Sequence, residues 1–305
     1  MNADQRAERR KRERARLRRQ RRFAAVLALV FLALSVTAAA ARPWKSSAHR
    51  QIAVASFVPA AYLGTLLRPD HTHHHRRGRV SPEHRAIARF LSLGYPVYCG
   101  GGHKRLVALT FDDGPAFWSS DVVNILRGHG ARATFFLVGR QVLAFPSHAR
   151  IERRAGVLGD HTWSHPYFNK LTRSAIKVEI ENGRWALNRY ARVPVALFRP
   201  PYGEHTAAVD SIIRSDSLLQ ILWSIDSRDY EGGTWREIGR NVVSRLRPGS
   251  IVLMHEIHPQ SIAALKLVVL PALRRMHLRA VTVPELLAAD PPSVSQLREG
   301  VRGCS

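Results

Sequence analysis

Hydrophobic and polar positions fall into three regimes along the 305 residues. The first is an apolar run from Phe23 to Ala41, FAAVLALVFLALSVTAAAA, set directly against RRQRR. About twenty apolar residues match a bilayer when helical, and the flanking Arg cluster would stay in the cytoplasm. Residues 23–41 therefore read as a transmembrane anchor or a signal peptide. Ala39 and Ala41 give the small-residue pattern of a cleavage site, whereas the length of the basic segment 1–22 leans towards the anchor. On either reading the rest of the chain is expected outside the cytoplasm, held at the cell membrane with an extracellular domain or secreted.

The second regime, residues 42–98, has no sustained period and reads as a linker or stalk. It carries HTHHHRRGR from His71. A His cluster in a polar, Arg-rich linker is expected to be solvated, with at most adventitious metal binding. From Arg105 the pattern changes again. Short β-rich apolar runs alternate with longer amphipathic stretches, which predicts an α/β fold, a distorted barrel of seven or eight parallel strands, over residues 99–305. Candidate strands end at Phe111, Gly139, His161, Pro200, Asp226, His255 and Val283. Candidate helices cover Ser174–Arg192 and Ile262–Arg275.

Composition changes this picture in two places. Hydrophobic content of 45% and charged content of 23% are ordinary for a globular chain and exclude wholesale disorder. The net charge of +24 is not ordinary. A third of it lies between Met1 and Arg22, which hold eleven Lys and Arg against three acids. The remainder is scattered, mostly as Arg. Such basicity suits anionic wall polymers and membrane surfaces, and no nucleic-acid module accompanies it, so no nucleic-acid partner is expected. If the chain is exported, Cys99 and Cys304 are candidates for a disulfide closing the folded domain, with free thiols the alternative.

Polar residues with chemical potential fall at the predicted strand ends, and in a parallel barrel those ends open on one face. Thr110-Phe111-Asp112-Asp113-Gly114-Pro115 sets two carboxylates side by side where a strand gives way to a loop. Neighbouring side chains on extended backbone diverge, so one can bind a metal while the other stays free as a base; as a plain turn the segment would need no chemistry. His161 and His165 stand at i and i+4 in HTWSH. If the chain enters a helix there, both imidazoles lie on one face and can chelate a cation. With Asp113 they would make a three-ligand site open to water and substrate, with zinc the natural first choice. Arg199-Pro200-Pro201-Tyr202-Gly203 is a rigid turn able to aim a backbone N–H at a developing oxyanion. His255 ends the run IVLMH, and a carboxylate such as Asp229 could keep it protonated as a general acid.

TFDDGP, HTWSH, RPPYG, DSRDY and LMH, in that order, resemble the NodB-like polysaccharide deacetylases, carbohydrate esterase family 4, over roughly Val107 to Leu287. The resemblance implies a distorted (β/α) barrel and one divalent metal ion, Zn2+ first with Co2+, Ni2+ or Mn2+ as alternatives. Asp113, His161 and His165 match the metal ligands. Asp112 matches the catalytic base, Arg199 the residue that orients it, and His255 with Asp229 the catalytic acid and its partner. Tyr202, with Pro201 beside it, matches the turn whose N–H meets the oxyanion, and Leu253 and Tyr230 match the acetyl-pocket walls. Two departures stand out: Tyr230 where Trp is common, and Glu256-Ile257-His258-Pro259 where small polar residues are common.

The expected function is N-deacetylation of an amino-sugar polymer, peptidoglycan first and chitin oligomers second, by a monomer. O-acetyl esterase action on xylan or another glycan is the nearest alternative, and an inactive carbohydrate-binding relative the next. A mononuclear iron oxygenase shares the ligand set but is usually built on an antiparallel double-sheet scaffold.

Overall fold

The computed structural model describes residues 80–304. The apolar run 23–41, the His71–His75 cluster and most of the expected stalk lie outside the described residues. Among the described residues no helix is long and apolar enough to cross a membrane.

The stalk boundary moves. Residues Pro82–Leu93 form helix α1, capped by Ser81, whose Oγ accepts from the His84 N–H, and closed by Gly94 at φ 73°. Ala86, Ile87 and Phe90 of this helix are buried in a cluster with Leu197, Ile251 and Leu286. The chain from Pro82 is thus part of the folded body. Polar residues around a narrow apolar stripe had hidden the helix in a stretch that reads as linker.

The eight strands are β1 (Leu106–Gly114), β2 (Ala133–Leu137), β3 (Gly156–Asp160), β4 (Leu197–Phe198), β5 (Leu219–Gln220), β6 (Ile225–Asp226), β7 (Ile251–His255) and β8 (Arg279–Val281). They pair in the order β5-β4-β3-β2-β1-β7-β6, with β8 joined to the first residues of β1. Every pairing is parallel. The expected seven or eight parallel strands are therefore present. The single run read as LLQILWSID divides into β5 and β6, which lie at opposite ends of the sheet path, with Ile221–Ser224 spanning the seam.

Between strands come α2 (Ser119–Gly128), α3 (Gly139–Ala144), α4 (Pro146–Ala155), α5 (Arg173–Ala186), α6 (Ala207–Ser215) and α7 (Trp235–Val243). These are followed by α8 (Pro259–Ala264), α9 (Leu270–Arg275), α10 (Val283–Ala289) and α11 (Val294–Glu299). The stretches predicted as single helices do run continuously, but each contains a π-helical turn, Leu187–Ala191 after α5 and Leu265–Val269 between α8 and α9.

Strand alternation divides the core. Val107, Leu109 and Phe111 of β1 join the large cluster under α2, α4, α7 and α8, while Ala108 packs in the cluster covered by α1 and α10. Side chains on a strand alternate between faces, so Ala108, Thr110 and Asp112 share one face. The chemistry on that face is carried upward from an apolar floor. Cys99 and Cys304 form a disulfide, with 5.9 Å between their Cα atoms, that fixes the end of the chain to the segment leading into β1.

Candidate active site at the strand ends

The parallel register brings the ends of β1, β2, β3 and β7 to one level: Asp112 pairs with Phe136 and His255, and Leu137 with Asp160. The five sequence motifs meet there.

Asp113, His161 and His165 offer one ligand atom each within 4.8 Å of one another. His161 Nε2 lies 3.6 Å and His165 Nε2 3.3 Å from Asp113 Oδ1. Donors around one ion at ~2.1 Å stand about 3 Å or a little more apart. Asp113 Oδ1 is buried with no hydrogen-bond partner among the described residues, a cost that a cation in the gap would remove. His161 is already in the form a metal needs. Its Nδ1 donates to the Arg199 carbonyl at 2.7 Å, leaving the Nε2 lone pair aimed at the gap. Burial, with a smaller contribution from His165, pushes its pKa down to about 3. The residues present fit a divalent ion.

The histidines do not reach this position as one face of a helix. No helix forms at 161–165; the chain is a loop in which Thr162 and His165 both adopt positive φ, 70° and 59°. The Asp160 carboxylate accepts from the Thr162 N–H at 2.9 Å, and Thr162 Oγ1 accepts from the His165 N–H at 3.0 Å. These two bonds curl the loop back and place the imidazole centroids 4.8 Å apart. Asp113 and Tyr202 also have positive φ, 70° and 58°. Asp and His tolerate positive φ better than most residues, whereas for Thr162 and Tyr202 it is unfavourable and persists where surroundings enforce it, often at functional sites.

Asp112 is buried beside the ligands. Arg199 Nη1 donates to its Oδ1 at 2.7 Å and to Thr110 Oγ1 at 2.8 Å, and Nε and Nη2 donate to the carbonyls of Ile221 and Leu222 at the seam. The guanidinium lies 4.2 Å from the ring centroid of Phe136 and 5.5 Å from that of Trp223. It is a fully enclosed cation held in one orientation. Burial raises the Asp112 pKa, and Arg199 pulls it back only in part.

Across from this pair, His255 Nδ1 meets Asp229 Oδ1 at 2.6 Å, and the His255 N–H donates to Oδ2 at 2.7 Å. Burial opposes the imidazolium, but Asp229 prevails and raises the pKa to about 9. For Asp229, burial pushes upward while the bonds from His255 and Ser261 outweigh it and leave the pKa lowered. Leu253 is buried two residues before His255, on the same face of β7. Tyr230 is exposed, its ring centroid 5.8 Å from His255 and its hydroxyl donating to Asp226 at 3.1 Å. Pro201 is buried, and the exposed Tyr202 ring stacks on Tyr167 at 3.9 Å and meets the His165 ring at 4.6 Å.

Several supporting residues were not foreseen. Thr110 and Ser261 are small hydroxyls whose roles arise from contacts across 89 and 32 residues. Tyr167 carries no motif. Glu152 and Glu256 are buried together, and neither carboxylate has a donor among the described hydrogen bonds. Glu256 occupies the space where a Cβ on Gly114 would fall. Burial raises both pKa values, that of Glu256 to about 7.

Residues 100–219 match the family described as polysaccharide deacetylase. The chain is 34% identical over 195 residues to a peptidoglycan-N-acetylglucosamine deacetylase of Bacillus cereus, covering 62% of this chain and 70% of that one. The chain belongs to the polysaccharide deacetylase family. Its fold is similar to the crystal structure of the Bc1960 peptidoglycan N-acetylglucosamine deacetylase in complex with a naphthalenyl N-hydroxybenzamide, at TM-score 0.60 and 31% identity, over 63% of this chain and 92% of that one. It is also similar, at TM-score 0.59 and 26% identity, to a Bacillus anthracis pseudoenzyme of carbohydrate esterase family 4, over 65% of this chain and 70% of that one. Membership in this deacetylase family thus does not by itself decide activity; the side chains at the site do.

Proposed function

We propose that this chain is a metal-dependent hydrolase that removes N-acetyl groups from an amino-sugar polymer on the outer side of the cell membrane. Peptidoglycan is the first substrate and chitin oligomers the second. The observation that carries the reading is the gap between Asp113 Oδ1 and the two histidine Nε2 atoms, 3.6 and 3.3 Å across, flanked by the Asp112–Arg199 and His255–Asp229 pairs.

Asp113, His161 and His165 would hold one divalent ion, and this donor set suits zinc, with Co2+, Ni2+ and Mn2+ also accommodated. When bound, the ion supplies Lewis-acid polarisation of the amide carbonyl and acidifies water. Asp112, held by Arg199, takes the proton from the attacking water. The Tyr202 turn offers its backbone N–H to the developing oxyanion. His255, kept protonated by Asp229, delivers a proton to the departing amine, so that the C–N bond breaks to give acetate and a free amino sugar. Leu253 and Tyr230 would wall the acetyl group. The disulfide supports an oxidising, extracytoplasmic location, in accord with residues 23–41 as anchor or signal.

Side-by-side assays on peptidoglycan, chitin oligomers and acetylated xylan test this. Acetate release from the first two, abolished in Asp112→Asn with the fold intact, is the expected result. Release from xylan alone would replace the reading with an O-acetyl esterase.

A further inference from the structure

We propose that the face opposite the active site docks on a bilayer rich in anionic lipid, holding the strand ends, and the site, away from the membrane. The proposal rests on residues 23–41 being a membrane span, and its test separates the two.

All strands are parallel, so the segments that enter them lie together at the end of the fold remote from Asp112 and His255. Segments 100–105, 127–132, 153–156, 189–196, 244–250 and 274–279 each carry at least two Arg or Lys and no Asp or Glu. All of these cations are exposed. Arg132–Glu285 is the only ion pair any of them makes among the described residues, and Glu83 also feels the Arg132 charge. The opposite end gathers the carboxylates Asp112, Asp113, Asp226, Asp229 and Glu256. Arg140, Lys170, Arg173, Arg228 and Arg236 are exposed at that end as well, so the excess of cations over acids is larger at the entry end and not confined to it.

Helix dipoles explain part of this, since cations favour the last turn of a helix. They do not explain Lys104, Arg105, Arg132, Arg245, Arg247 or Arg279, which lie in loops or strand starts. Helix α1 adds to the same face. Its first residue lines a cleft with Leu106 and Arg279, where β1 and β8 begin. Gly94, which follows its last turn, sits against Arg214 at the end of α6. Arg85 and Arg89 on α1 are exposed. The nearby acids are Glu83, Asp216, Glu285 and Asp290, the last accepting from the His103 and Lys104 N–H groups, and they are fewer than the cations of the face.

The second observation is where the chain enters. Val80 precedes α1, so the preceding segment joins the domain at this basic face and not at the site. About forty residues of sequence separate Ala41 from Val80. With residues 23–41 in the bilayer, this face is the part of the domain nearest the span in sequence, which raises its effective concentration at the bilayer surface. Anionic headgroups then attract several Arg at once, within a Debye length of about 8–10 Å.

The test uses the full chain on vesicles of phosphatidylcholine with or without a third phosphatidylglycerol. A dye is placed by Ser244→Cys on the basic face or by Ser174→Cys near the strand ends, and energy transfer to acceptor lipid is read. On anionic vesicles, transfer from position 244 is expected to exceed that from 174 at least about twofold, and to fall with salt. The quadruple variant Arg245→Glu, Arg247→Glu, Arg274→Glu, Arg275→Glu is expected to lose that difference while keeping activity on soluble oligomers. Equal transfer from both positions, or the same transfer on neutral and anionic vesicles, overturns the proposal. Flotation with neutral vesicles reports the apolar segment alone. A chain that fails to float there yet shows the oriented transfer on anionic vesicles would remove the span and leave the face.

Discussion

Asp229 raises the His255 pKa to about 9, and the pH dependence of the reaction follows from that contact. A general acid must be protonated, so activity is expected to fall as pH rises through about 9. A base must be ionised, and burial raises Asp112, so the acid limb should lie above the usual carboxylate range. In Asp229→Asn the alkaline limb of kcat/KM is expected to move down by more than a unit; an unmoved limb would remove His255 from that role. The same shift is a stability statement. His255 has a folded value above its unfolded one, so its stabilisation is full below about pH 6.5 and is lost as pH rises through about 9. Glu256 follows the same sign, with its neutral form favoured by burial and that stabilisation lost as pH rises through about 7. Glu256→Gln is therefore expected to flatten the decline of Tm between pH 5 and 9, and an unchanged slope would place the carboxylate in contact with water. At this scale the principal site residues were legible because each sits in a short motif at a strand end. Thr110, Ser261 and Glu152 were not, because hydroxyl and carboxylate partners so distant in sequence leave no local pattern.

The loop between β3 and α5 is where local sequence misled. Two histidines at i and i+4 suit a helix, yet Asp160 and Thr162 hold the segment as a loop with two positive-φ residues. Helix α5 permits this because Gly183 lets the loop approach. A Cβ there would lie 2.2 Å from Asp160 Oδ1 and 2.7 Å from the Thr162 backbone carbon. Gly to Ala inside a helix ordinarily stabilises by about 1 kcal/mol. Here the sign should reverse, with Gly183→Ala lowering Tm and weakening divalent-metal binding through the displaced His161 and His165. Metal titration of the variant checks this, and unchanged affinity would mean the loop is set without α5. Strand identity was legible from apolar runs, whereas the division of one run into β5 and β6 depends on curvature. The seam there is bridged by Arg199, a contact outside any periodicity.

For the whole molecule, the barrel type was legible in the alternation of strand and helix. The N-terminal limit of the folded body was not, since α1 shows its apolar stripe only once α10 is there to cover it. The Cys99–Cys304 disulfide closes 205 residues of chain. Its removal by Cys304→Ser is expected to cost about 2–5 kcal/mol, read as denaturant midpoint. Cys99 bridges to Ser250, beside the start of β7 and remote from His255, so activity per folded molecule should hold. A loss of turnover without a loss of stability would link the disulfide to the site.

The most direct test of the account is acetate release from N-acetylated peptidoglycan by the purified full chain, measured before chelation, after it, and with zinc returned. The three-ligand gap predicts that release stops when the metal is stripped and recovers when zinc is restored, with neither metal uptake nor recovery in Asp113→Ala. Undiminished release from protein shown to be metal-free, or no release from peptidoglycan or chitin oligomers with metal bound, would contradict it.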